Sequence, residues 1–214
     1  MTIYLDHLFI LCRAGAPEAQ NLIELGWVEG NANVHPGQGT ANRRFFLPEF
    51  TIELLYISDA EEAANGAGRA LGLPNRSGNS IASPFGLVAR LADKDVTPAF
   101  PNWRYTPDYF NGAMSFLVGE NSSVLEEPLC ICMPPELPPR SSVPHEYQNP
   151  AWNLSDVNLS VPVKNPTESL SHFASMDKVS IEYGSQHGVT LVFNKGAAGQ
   201  VVDLSPGLPL SVRY

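Results

Sequence analysis

Two stretches decide how this chain is read: YLDHLFILC at 4–12 and FTIELLYIS at 50–58. Each is an apolar, strand-like run with one ionisable side chain in its middle, His7 in the first and Glu53 in the second. Burying such groups costs free energy unless they find a partner, so they mark either a site or a self-satisfied polar contact. Strict alternation would place Ile3, Leu5, His7, Phe9 and Leu11 on one face and Tyr4, Asp6, Leu8 and Ile10 on the other. Both faces are mostly apolar, which predicts an interior strand.

Outward from these runs the chain falls into similar units. GAPEAQNLIELG at 15–26 reads as a helix, with Pro17 in the first turn and Gly26 as its stop. WVEGN (27–31), TANRRFFL (40–47) and FTIELLYI (50–57) read as strands, giving the order βαβββ. After a polar stretch from Ser58 to Asn79, the runs SPFGLVARL, NWRYT, AMSFLVGE and EPLCICM suggest a second such unit with a poor helix. The many prolines between Pro134 and Pro150 predict an irregular connector. Beyond it lie LSDVNLSVP, a helix in NPTESLSHFAS with Asn165 as the expected N-cap, and three more strand-like runs. The fold class is therefore α+β, built of repeated βαβββ modules: residues 1–140 form a pair, and 151–214 an extra C-terminal half-module.

Composition excludes several classes of function. The 214 residues suffice for a real core, and the formal charge of −9, from 22 acidic against 13 basic residues, disfavours a nucleic-acid partner. No apolar run approaches the ~20 residues of a membrane span, and the N-terminus lacks signal-peptide character, so the expectation is a soluble cytoplasmic protein. Three cysteines do not suggest a disulfide framework, and Cys130 and Cys132 lack zinc-site spacing. Nucleophile-elbow, Walker and dinucleotide motifs are absent.

The modules, with LDHLFI opening the first and IELLYI closing it, resemble the vicinal oxygen chelate superfamily of glyoxalase I, extradiol dioxygenases and fosfomycin-resistance proteins. HPGQGTANRRFF, IELLYISD, SPFGLVARL, EPLCICM and HEYQNPAWNLSDVNLSVP look more narrowly like its glyoxalase-like branch, over about residues 3–162. The resemblance implies curled sheets around a cleft and one divalent metal, held by a first-strand His and a fourth-strand Glu of each module. His7 and Glu53 match the first such pair. The second pair does not carry over: Phe85 or Leu87 and Cys130 or Cys132 stand there, and Val157 and Val192 stand in the C-terminal unit. His35, Cys130, Cys132 or the substrate would have to complete the site.

Without a metal, a His–Glu contact could move a proton, the one group orienting the other. His35 lies in a tight Pro- and Gly-rich turn whose glycines allow close backbone approach to a ligand, and Thr40 and Asn42 follow it as candidate hydrogen-bonding groups. Arg43 and Arg44 must point to opposite sides of their strand, so only one faces the cleft, where it would suit a carboxylate or phosphate. Arg43 is taken as that residue. Trp103, with Tyr105, Tyr109 and Phe110, is the expected aromatic wall, while His145, His172 and His187 receive no role. The resulting expectation is a glyoxalase-like lyase, isomerase or dioxygenase acting on a small molecule; the alternative is a non-catalytic small-molecule binder. A homodimer formed through the C-terminal unit is a further expectation.

Overall fold

The computed structural model describes residues 3–93, 95, 97–137, 149 and 152–214. The first module comprises β1 (Ile3–Leu11), α1 (Ala19–Glu24), β2 (Val34–His35), β3 (Thr40–Leu47) and β4 (Phe50–Ile57). β3 and β4 form a tight hairpin closed by the Leu47–Phe50 pair, and β4 then lies parallel to β1, giving the lateral order β2-β3-β4-β1. The polar stretch that follows folds into short helices, including α2 (Ala60–Asn65), whose N-cap Asp59 accepts a hydrogen bond from Glu62 N, and α3 (Leu73–Arg76).

The second module repeats the order with β5 (Phe85–Leu91), β6 (Asn102–Tyr105), β7 (Phe116–Gly119) and β8 (Leu129–Cys132), arranged β5-β8-β7-β6. Among the described residues it has no helix between its first two strands. Antiparallel pairing of β1 with β5 fuses both modules into one curled eight-stranded sheet.

Past the connector, most of which lies outside the described residues together with His145, come β9 (Leu154–Val161), α4 (Glu168–Ala174), β10 (Val179–Tyr183), β11 (Gly188–Phe193), β12 (Val201–Asp203) and β13 (Leu210–Arg213). The order is βαβββ with one further strand, and the sheet runs β10-β9-β11-β13-β12. β9 and β10 pair in parallel, which requires the crossover that α4 supplies. The α4 N-cap is Thr167 instead of Asn165: its hydroxyl accepts from Leu170 N, while its own N–H and O–H donate to the buried Glu127 carboxylate at 2.7 Å each. That tertiary anchor outweighs the local capping preference of Asn165.

One apolar core joins the two sheets. Leu8, Ile10, Phe45, Ile52 and Leu87 pack with Val157, Leu159, Leu191, Phe193 and Val212. The opposite, concave face carries a smaller cluster around Phe9, Leu55, Val88, Tyr105 and Leu129. WVEGN does not form a full strand: Glu29 makes an isolated bridge to Phe45, and the backbone of Val28 bonds through both its N–H and C=O to the side-chain amide of Asn149. The amide supplies the bonds that a ladder would otherwise provide. Among the described residues no helix is long and apolar enough to cross a membrane.

Candidate functional site

A cavity of about 570 Å³ opens on the concave face of the eight-stranded sheet. Its polar floor comes from the first module, where a β-bulge decides the geometry. Leu5 pairs with Ala89 and His7 with Val88, so Asp6 is an extra residue in β1. Strict alternation places Asp6 opposite His7, but the bulge brings both to the cavity and sends Ile3, Leu8 and Ile10 together into the core.

The result is a line of alternating charge. Arg90 Nε donates to Asp6 Oδ2 at 2.6 Å, Asp6 Oδ1 lies 2.8 Å from His7 Nδ1, and His7 Nε2 lies 3.3 Å from Glu53 Oε2. Asn42 Nδ2 donates to Glu53 Oε1 at 2.5 Å, and its own carbonyl oxygen accepts from Asn33 N. His7 and Glu53 retain only 17% and 12% side-chain exposure. Burial disfavours the charged imidazole, but the flanking Asp6 and Glu53 carboxylates outweigh it and raise the His7 pKa. Burial likewise disfavours the Glu53 carboxylate, yet His7, His35 and Asn42 hold it down to about 2. The two flanking carboxylates thus favour the imidazolium form of His7.

A second chain fixes His35. Tyr105 O–H donates to Gln38 Oε1 at 3.1 Å, and Gln38 Nε2 donates to Thr40 Oγ1 at 2.8 Å. The Thr40 hydroxyl, already accepting, has its own proton for His35 Nδ1 at 3.0 Å. That assignment leaves the His35 proton on Nε2, and burial lowers the ring's pKa, which favours its neutral form. The loop carrying these residues is held from behind by the Glu62 carboxylate, which accepts from Gly37 N at 2.7 Å and Gly39 N at 2.9 Å. Gly39 has φ +67°, and a Cβ there would meet Ala63 N at 2.3 Å, so this approach to α2 needs glycine.

The remaining walls are apolar. Phe9, Leu55, Leu71, Leu73, Val88, Leu129 and Ile131 line them. A Cβ at Gly86 would fall 2.0 Å from the Phe9 ring, so the missing side chain there makes room for Phe9 across β5. Rings continue along one side: His35 leans on Tyr109, Tyr109 meets Phe110 edge-on, and Phe110, Phe116 and Tyr105 stack in turn.

The expected site residues divide accordingly. His7, Glu53, His35 and Asn42 converge on the cavity. Thr40 is fully buried behind His35 and orients it without lining the space. Arg43 turns to the other side, where Glu29 binds its guanidinium twice, and Arg44, sharing the parity of Asn42, is the inward arginine. Trp103 lies behind Tyr105 and donates to Ser122 Oγ. Tyr109 lines the cavity as expected, and Asp6, Arg90 and Arg44 join it in addition. For Arg44 the signal was present, since residues 40, 42 and 44 share one face of a strand.

The donor set does not fit a resident metal. Phe85, Leu87, Cys130 and Cys132 point into the core shared with the second sheet, and burial pushes both thiols up, that of Cys132 to about 12. On the cavity side the second module offers Val88, Leu129 and Ile131. Both nitrogens of His7 already face carboxylates, and among the described residues no three His, Cys, Asp or Glu side chains are grouped to hold a metal ion.

No protein-family model and no curated protein matches the chain. The chain is similar in structure to a hypothetical protein from Staphylococcus aureus, with TM-score 0.58, 12% identity, and coverage of 100% of this chain and 98% of that one. At that identity the likeness concerns the fold alone.

Proposed function

We propose that the chain is a glyoxalase-like member of the vicinal oxygen chelate superfamily, whose cleft takes up a small oxygenated molecule. The His7–Glu53 pair then moves a proton at a carbon next to the ligand's carbonyl. The observation that supports this is the contact of His7 Nε2 with Glu53 Oε2 at 3.3 Å on the floor of a largely apolar cavity. Glu53 stays ionised near neutral pH and can accept a proton, while the imidazolium beside it stabilises negative charge developing on a ligand oxygen. Asp6 and Asn42 act as positioning residues that hold the two groups from outside.

The test is solvent-deuterium incorporation at the carbon adjacent to the carbonyl in a panel of small ketones, aldehydes and 2-oxo acids, with Glu53→Gln as the control. Elemental analysis of protein purified without chelators accompanies it. Incorporation by the parent and its loss in the variant are expected, with no stoichiometric metal. A metal bound through His7 and Glu53 would overturn the metal-free mechanism.

A second reading is binding without turnover. It is favoured by the internal pairing of both His7 nitrogens and both Glu53 oxygens. Saturable ligand binding with no deuterium incorporation would select it.

A further inference from the structure

Two adjacent arginines of β3 have different electrostatic surroundings. Arg43 is neutralised by a bidentate pairing with Glu29. Arg44 makes its hydrogen bonds to neutral partners, its Nε donating to Asn31 O at 2.6 Å and one terminal nitrogen to Asn33 Oδ1 at 3.2 Å, with the guanidinium 4.9 Å from the centre of the Phe46 ring, while the Glu53 carboxylate on the facing strand acts on it through space without forming an ion pair. Among the described residues no carboxylate pairs with it, and its other terminal nitrogen has no protein acceptor. A guanidinium facing a cavity with unused donors is suited to an anion, above all to a planar carboxylate.

His35 supplies a second donor at the same end. The Tyr105–Gln38–Thr40 chain places the His35 proton on Nε2, which has no acceptor among the described residues. A chain of three hydrogen bonds, two of them fully buried, is more than a loop histidine needs for packing, and its effect is to present one N–H to the cavity. Beyond these donors run the Tyr109, Phe110, Phe116 and Tyr105 rings, so an anionic head would be followed by an apolar, ring-sized space.

We infer that the cavity's ligand is a monocarboxylate with an apolar, ring-bearing body, its carboxylate held by Arg44 and His35 Nε2–H and its body laid against the aromatic wall. This rests on the proposed function only in placing the ligand in the same cleft. It adds the substrate class and makes Arg44 the residue that selects for charge.

Isothermal titration calorimetry with 2-naphthylacetate and 2-naphthylacetamide, identical in body and different in head-group charge, tests it. The parent is expected to bind the acid at least about tenfold tighter than the amide, a difference of about 1.4 kcal/mol. Arg44→Gln should abolish that preference by weakening the acid at least about tenfold more than the amide, and Arg43→Gln should retain it; circular dichroism checks that each variant is folded. Equal binding of acid and amide by the parent, or a preference that survives Arg44→Gln, overturns the inference. Binding of the amide alone also overturns it while leaving small-molecule uptake by the cleft intact. If neither compound binds, the inference falls, and deuterium incorporation separately decides the proposed reaction.

Discussion

The two modules of the eight-stranded sheet share one strand order and divide the work of the cleft unequally. On β1, β3 and β4 the concave face carries His7, Asn42, Arg44 and Glu53, while on β5 and β8 it carries Val88, Leu129 and Ile131, with Arg90 alone crossing to the polar side. Pseudo-symmetry of the backbone therefore does not imply symmetry of chemistry. One module supplies charge, and the other supplies shape and a low-dielectric wall that strengthens those charges.

The sharpest break in this contrast is Glu53→Ala. It leaves a buried imidazolium with one carboxylate fewer, and we predict a loss of about 3–5 kcal/mol in urea unfolding. Glu53→Gln should cost clearly less, because Asn42 and His7 keep a polar neighbour. In the second module, Leu129→Ala should cost roughly 2–5 kcal/mol through lost packing. It should also weaken binding of apolar ligands without altering any preference for charge. An effect of Leu129→Ala on acid-versus-amide selectivity would blur the division between the modules.

Acid sensitivity should likewise trace to the first module. Glu53 is held from 4.5 down to about 2, so its contribution is present above the higher value and is lost as pH falls toward the lower one. The parent should lose on the order of 2 kcal/mol between roughly pH 5 and pH 3 on this account, and Glu53→Gln should show a flatter profile. His7 has the opposite sign: with its pKa raised, its contribution persists in acid and fades as pH rises through the folded value. An unchanged acid slope in the variant would place the titration elsewhere. The smallest effect belongs to Arg43→Gln, a partly exposed ion pair worth less than about 1 kcal/mol, measurable as a slight shift in the urea midpoint.

Much of the architecture was legible because period-2 runs and Pro/Gly punctuation are local signals. His7 and Glu53 stood out since a charge inside an apolar run is costly wherever the strand lies. What escaped was phase. A single extra residue at Asp6 exchanges the faces of β1, and nothing in YLDHLFILC announces a bulge. Alignment of the second module on Phe85, Leu87, Cys130 and Cys132 chose the core-facing parity, because both faces of those strands are apolar. The strand parity shared by Thr40 and Asn42 selects Arg44, not the expected Arg43, as the inward arginine. Thr167 took the cap from Asn165 through Glu127, a partner forty residues away.

The aromatic seam between the two sheets has an optical consequence. Of the chain's three tryptophans, Trp27 and Trp152 lie tilted with ring centres 5.1 Å apart, both touch Phe193, and the Trp27 indole N–H donates to Tyr214 Oη. Trp103 is the one beside the cleft. Intrinsic fluorescence of the parent is thus dominated by emitters at the seam and reports separation of the sheets, whereas a Trp27→Phe, Trp152→Phe chain retains a single emitter at Trp103, two rings from any ligand held against Phe116.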